Sequence, residues 1–178
     1  MTDFNVEIVV IGAGVIGLSI ARALTKLGKE VLILEEEQKF GQITSSRNSG
    51  VIHAGIYYPK DSFKAKMCVD GNKLLYDYLN KYSIPHRNTK KILVATNEEQ
   101  LKIIDKIKLQ GENNGVENIQ KISKTAVSNL EPLIECKEAL LIPSSGIIDS
   151  YSFMTVSYTH LRAHETVLDL VCRLLLEK

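Results

Sequence analysis

Ile8-Val-Val-Ile-Gly-Ala-Gly-Val-Ile-Gly-Leu18 joins a β-branched run to three glycines, Gly12, Gly14 and Gly17, in the spacing G-x-G-x-x-G. Glu7 to Ile11 has the apolar density of a buried parallel strand. Val15 to Leu27 then carries Ile16, Ile20, Ala21 and Leu24 at helical spacing, with Gly28 placed to cap the helix C-terminus. A strand that turns into a helix through these glycines forms a pocket for a dinucleotide pyrophosphate. Gly12 permits the tight turn, Gly14 lets the backbone approach the phosphates, and Gly17 lets the helix pack on the strand. The free N–H groups and positive dipole end of the helix face the anion. A second apolar strand, Glu30 to Glu35, ends in a carboxylate roughly 20 residues beyond Gly12, where an acid accepts from ribose hydroxyls. Glu36 and Glu37 follow, with no arginine to hold a 2′-phosphate. The bland alternative is a βαβ unit whose glycines serve packing alone.

The 178 residues suffice for one ordinary domain with a sizeable core. With 44% hydrophobic residues, 24% charged residues and a formal net charge of +1, there is no electrostatic case for binding nucleic acid. Cys68, Cys136 and Cys172 lie far apart without metal-site spacing, so reduced structural thiols and no metal are expected. The apolar N-terminus has acids rather than a basic region and is broken by glycines, which reads as a cytoplasmic protein and not a signal or membrane segment.

After Glu35 the chain enters Gly41-Gln-Ile-Thr-Ser-Ser-Arg-Asn-Ser-Gly50 and then Val51-Ile-His-Ala-Gly-Ile-Tyr-Tyr58. Thr44, Ser45, Ser46, Asn48 and Ser49 are short hydrogen-bonding side chains, and Gly50 and Gly55 flank an apolar stretch around His53. Such a segment can run along an extended cofactor, offering hydroxyls and amides to it.

T-S-S-R-N-S-G-V-I-H-A-G-I-Y-Y-P, followed by Ser62-Phe-Lys-Ala-Lys-Met-Cys-Val-Asp-Gly71, resembles the FAD-dependent L-2-hydroxyglutarate dehydrogenases and oxidases of the D-amino-acid-oxidase-like flavoprotein superfamily. Lys91–Thr96, Asn114–Val116, Glu131-Pro132 and Ile142–Ile148 continue the likeness, which covers Phe4 to Met154. The resemblance implies an α/β fold: a Rossmann-like FAD-binding βαβ domain over 4–60, then the first elements of a mixed-sheet substrate domain over 61–155, truncated. It implies oxidation of a 2-hydroxy acid to the 2-oxo acid by hydride transfer to flavin, with oxygen or a membrane quinone as electron acceptor and a peripheral membrane contact open. Ser45 and Ser46 are then expected near the pyrophosphate, and Asn48, Ser49 and Gly50 beside the isoalloxazine. His53 is the candidate base or flavin-side hydrogen-bonding group, with a histidine fixed for packing as the equal alternative. Tyr57, Tyr58, Lys64 and Lys66 are candidate carboxylate partners, against solvated surface groups. A glycerol-3-phosphate dehydrogenase, an amino-acid oxidase of the same superfamily, and a non-catalytic nucleotide-binding fragment are the rivals.

Further helices are predicted over Ala65–Tyr82, Glu98–Gly111 and Thr125–Leu130, the last capped by Thr125. Strands are predicted over Lys91–Thr96 and Ala139–Ile142, with a turn at Ser144–Gly146. From Val156 the likeness stops. Val156–Glu165 and Leu170–Lys178 back-translate to strings resembling the two ends of a sequencing adapter, in the order the adapter has them. Residues 156–178 are therefore expected to be adapter-derived, the alternative being a genuine C-terminal helix, and His160, His164 and Cys172 receive no role. The remaining part is expected to lack neighbouring strands, to expose apolar faces and to fold poorly alone.

Overall fold

Strand β1 (Ile8–Ile11) pairs in parallel with β2 (Val31–Leu34), Ile8 opposite Val31 and Ile11 opposite Leu34, with α1 (Val15–Lys26) as the crossover. Gly28, at φ +75°, ends α1 in the left-handed region that L residues avoid, and its N–H donates to Thr25 O while Lys29 N–H donates to Leu24 O. This is the βαβ unit expected from the glycine fingerprint.

The computed structural model describes residues 6–163. They fall into two compact units: the described residues up to Ser49 together with those from Asp149 onward, and Gly50–Ile148. Residues 50–60 thus group with the second unit and 149–155 with the first, which differs from the division at 60 expected from the sequence. Long-range pairing is the reason: β3 (Val51–Ile52) pairs antiparallel with β8 (Gly146–Ile148), drawing the start of this unit to its end.

In the first unit, Ala13, Leu18, Ala21, Val31 and Ile33 form the core with Met154 and Leu161 of α5 (Ser150–Ala163). Asp149 caps α5, its Oδ1 accepting from the N–H groups of Tyr151 and Ser152. The segment expected to be adapter-derived begins inside α5. Its Ser157 and Leu161 are buried, continuing the face that Met154 begins. His164, Cys172 and the rest of 164–178 lie outside the described residues, as does the alternative C-terminal helix.

The second unit holds two antiparallel three-stranded sheets. One has the order β3-β8-β4, with β4 at His86–Arg87. The other places β7 (Glu138–Ile142) between β5 (Lys91–Ala95) and β6 (Gln120–Ser123). Its helices α2 (Phe63–Lys81), α3 (Glu98–Asn113) and α4 (Lys124–Leu130) start at Ser62, Asn97 and Ser123, each of whose side chains accepts from the backbone N–H three residues on. Thr125 is thus not the cap of α4: Ser123 sits in the extended conformation from which a side-chain oxygen reaches that N–H. The core runs through Ile56, Ala95, Ile104, Leu140 and Ile142, with Val127, Cys136 and Ala139 in a smaller cluster.

The fold is α/β as expected, a Rossmann-like βαβ element plus antiparallel sheets. The two-faced burial predicted for β1 is not met: Val9 is 48% and Ile11 85% exposed, and Ile16 and Ile20 of α1 are exposed as well. Among the described residues only β2 flanks β1, so alternate side chains of the strand have no apolar cover. Replacing Val9 and Ile11 together by Thr keeps β-propensity while removing apolar surface. The double variant is expected to raise the soluble yield of the 178-residue chain with an unchanged far-UV circular dichroism spectrum. Equal yields would show that this face does not limit solubility.

Candidate functional site

Gly12 leaves β1 at φ +94°, and its N–H donates to Leu34 O at 2.7 Å, so the turn is tied to the end of β2. A Cβ built on Gly17 would lie 1.9 Å from Gly12 O, which only glycine avoids. A Cβ on Gly14 would lie 2.8 Å from Ser45 Oγ, whereas above Gly12 there is open space. Gly12 thus bends the chain, Gly14 leaves room for the Ser45 hydroxyl, and Gly17 lets α1 lie against the turn.

Two side chains converge on the N–H groups here. Ala13 N–H donates to Glu35 Oε2 at 2.7 Å, and Val15 N–H donates to Ser45 Oγ at 3.0 Å. The other oxygen of Glu35 accepts from Glu37 N–H at 3.0 Å. A carboxylate offers about four acceptor positions, so two remain for hydroxyl donors such as those of a ribose. The turn thus presents N–H donors, a positive helix end, a hydroxyl and a carboxylate around a space no Cβ fills, and this set fits the diphosphate and ribose of a dinucleotide.

Of the other residues read from the sequence, Thr44 and Ser46 bound a single 3₁₀ turn. Ser46 Oγ donates within that turn, to Gln42 O and Ile43 O, rather than toward the glycines. Asn48 Nδ2 donates to Ser45 O at 2.7 Å, which steadies the residue that caps α1, and Ser49 is exposed. Alongside lies an open cavity of about 600 Å³ whose lining includes Phe40, Gln42, Arg47, Tyr151 and Tyr158. Phe40 stacks on Tyr158 at 4.8 Å between ring centroids.

Gly50 and His53 belong to the second unit. Gly50, at φ +61°, accepts from Ile148 N–H at 2.8 Å, and a Cβ there would meet Ile148 O at 2.5 Å. Gly50 therefore serves the β3–β8 pairing. From His53 to Tyr58 the backbone has no strand partner, and amide side chains hold it instead. Asn72 Nδ2 donates to His53 O at 3.0 Å and to Ser144 O at 2.9 Å. Asn114 Nδ2 donates to Gly55 O and Tyr58 O, and Gln110 Nε2 adds a second donor to Tyr58 O. The sequence reading missed these three residues. An Asn within a helix face otherwise rich in apolar residues, as Asn72 is, was the available signal.

The His53 side chain is exposed at the surface of this unit, yet its pKa is lowered, first by partial burial and then by the charges of Lys91 and Lys64. Burial also raises the Tyr57 hydroxyl and the Cys68 thiol. The imidazole is thereby kept in its neutral, proton-accepting form to lower pH than a free histidine.

The family model described as FAD dependent oxidoreductase matches residues 7–166. The chain is 48% identical over 150 residues to the mitochondrial L-2-hydroxyglutarate dehydrogenase of Arabidopsis thaliana, covering 84% of this chain and 31% of that protein. Its identity to the enzyme of the same name from Dictyostelium discoideum is 40% over 147 residues, covering 80% of this chain and 33% of that one. Among solved structures, the FAD-bound L-α-glycerophosphate oxidase of Mycoplasma pneumoniae matches with a TM-score of 0.85 and 28% identity, over 91% of this chain and 44% of that chain. The chain spans about a third of the length of the curated relatives it matches.

These relatives correct the cytoplasmic reading, since both plant and slime-mould enzymes are named as mitochondrial. Composition and reduced thiols do not distinguish the two compartments, because a targeting address is read by receptors and leaves no mark on the domain's packing.

Two substitutions test the geometry. Gly17→Ala is expected to destabilise the intact protein by about 1–3 kcal/mol through overpacking against Gly12 O, read as a lowered urea midpoint. An unchanged midpoint would show that the turn relaxes freely. Asn114→Ala leaves Gly55 O and Tyr58 O short of a donor, with an expected loss of about 1–3 kcal/mol. Hydrogen exchange should then quicken at residues 55–58 before the rest of the unit, and uniform exchange would count against the clamp.

Proposed function

Because this chain belongs to the FAD dependent oxidoreductase family, we propose that the whole protein oxidises a 2-hydroxy acid, L-2-hydroxyglutarate or a close analogue, to the 2-oxo acid. The observation that carries this reading is the 48% identity to an L-2-hydroxyglutarate dehydrogenase over 150 residues, 84% of this chain. FAD, when bound, supplies the hydride acceptor. Gly12, Gly14 and Gly17, with the N–H groups of α1, hold its diphosphate, and Glu35 accepts from the ribose.

Thr44, Ser45, Ser46, Asn48 and Ser49 shape the cofactor's path, and within this set Ser45 does most, since its hydroxyl already meets the start of α1. The substrate hydroxyl gives its proton to an imidazole nitrogen of His53, which the lowered pKa keeps free to accept it. Asn72 holds the carbonyl of His53 itself, and Asn114 the backbone that follows it. The reoxidant is oxygen or a membrane quinone, and any membrane contact is peripheral. A mitochondrial setting accords with the relatives. Residues 156–178 are adapter-derived in this reading, which resequencing the source locus across the codon for Thr155 checks. The 28% identity to a glycerophosphate oxidase favours a second reading with glycerol 3-phosphate as substrate.

Anaerobic mixing of the intact protein with each candidate tests the choice. L-2-hydroxyglutarate is expected to bleach the flavin and glycerol 3-phosphate is not; the reverse result selects the second reading. His53→Asn is expected to lower kcat about 100-fold or more without loss of FAD. In the parent enzyme the acid limb of kcat/KM lies below pH about 6.5, because the lowered pKa keeps the base form present there. A limb at or above that pH would remove His53 from the role.

A further inference from the structure

We propose that Lys91 and Lys64 together hold the second carboxylate of the substrate, so that this pair selects 2-hydroxy dicarboxylates over monocarboxylates. The inference rests on the hydroxy-acid reading above and adds what that reading leaves open: how the far end of the acid is recognised.

The two lysines come from different elements. Lys91 opens β5, opposite Ile142 of β7, and Lys64 lies in the first turn of α2. Their ammonium groups rest on the faces of consecutive tyrosines: Lys91 Nζ is 5.4 Å from the Tyr57 ring centroid, and Lys64 Nζ is 4.7 Å from that of Tyr58. Both rings belong to the segment that Asn114 and Gln110 clamp by the carbonyl of Tyr58. Cation–π contact and a clamped backbone hold each of the two flexible side chains against the Tyr57–Tyr58 pair, which follows His53 in the same clamped segment.

Several other lysines of the unit are paired with carboxylates, and among the described residues these two are not. Lys73, Lys108, Lys121 and Lys137 each meet a carboxylate: Glu117, Glu112, Asp105 with Glu138, and Glu98 respectively. Lys64 and Lys91 meet none among the described residues. Lys64, at the positive end of α2 with no acid in that turn, is unfavourably placed as it stands. An anion that reached both ammonium groups would be attracted by each and would offset the unfavourable placement of Lys64. A monocarboxylate has only the carboxylate beside its reacting carbon, whereas a dicarboxylate brings a second anion to this pair.

Calorimetric titration of the intact, FAD-loaded protein with glutarate and with butyrate separates the two ends of the ligand. In the parent, glutarate is expected to bind at least about tenfold more tightly than butyrate. Lys91→Met and Lys64→Met should each weaken glutarate by about tenfold while leaving butyrate within about twofold, and Lys91→Arg should restore most of the loss. Flavin absorbance per chain reports whether each variant is folded. Lys64 is exposed, so its variant remains informative if Lys91→Met fails to load. Loss of glutarate and butyrate binding in equal measure, or no change in either, overturns the proposal. A parent protein that oxidises no 2-hydroxy acid instead defeats the functional reading on which the proposal rests.

Discussion

With no side chain at residue 17, the backbone of α1 lies directly on the carbonyl of Gly12, and the first unit is built outward from that contact. The close approach lets Gly12 N–H reach Leu34 O, which sets the turn against the end of β2. It brings Ala13 and Val15 N–H within reach of Glu35 and Ser45, two residues from quite different parts of the sequence. It also lets Leu18 and Ala21 enter the core with Val31, Ile33 and Met154. A methyl group at this one position would push apart the turn, the helix and the two polar contacts together.

The second unit solves a different problem. Residues 53–58 have no strand partner among the described residues, yet Ala54, Gly55 and Ile56 are buried, so their backbone polar groups need other partners. Side-chain amides from α2 and α3 act as these by donating to backbone carbonyls, which satisfies the polar groups without adding a strand. The price is dependence on a few single hydrogen bonds. The gain is a fixed backbone whose side chains, His53, Tyr57 and Tyr58, remain accessible on one side.

Periodicity made α1, α2 and α3 legible, because each covers several turns with a repeating apolar face and a cap or glycine at one end. The glycine turn was legible for a stronger reason: each glycine answers a separate steric demand, so the spacing carries geometry. The strands β3, β4 and β8 were not legible. They are two or three residues long, and Val51 pairs with Ile147 only because the intervening unit folds back. The alternation of Val9 and Ile11 was also hidden, since a β-branched run reads as doubly buried whichever neighbours the strand has. Within the site, Glu35 and Ser45 could be named from composition and position. The split between Ser45, which reaches α1, and Ser46, which bonds its own turn, depends on one dihedral of a 3₁₀ segment that no pattern encodes. Lys91 escaped notice because a lysine at the start of a strand looks like ordinary surface until its ammonium is seen on a tyrosine face.

The hydroxyl of Ser45 satisfies the first donor of α1, Val15 N–H, and the carboxylate of Glu35 satisfies Ala13 N–H in the turn before it, both from within the chain. A nucleotide entering this turn would therefore exchange one set of acceptors for another, and the helix start would gain little enthalpy from it. Tight retention of such a ligand would have to come from contacts spread along its length rather than from this single anion pocket.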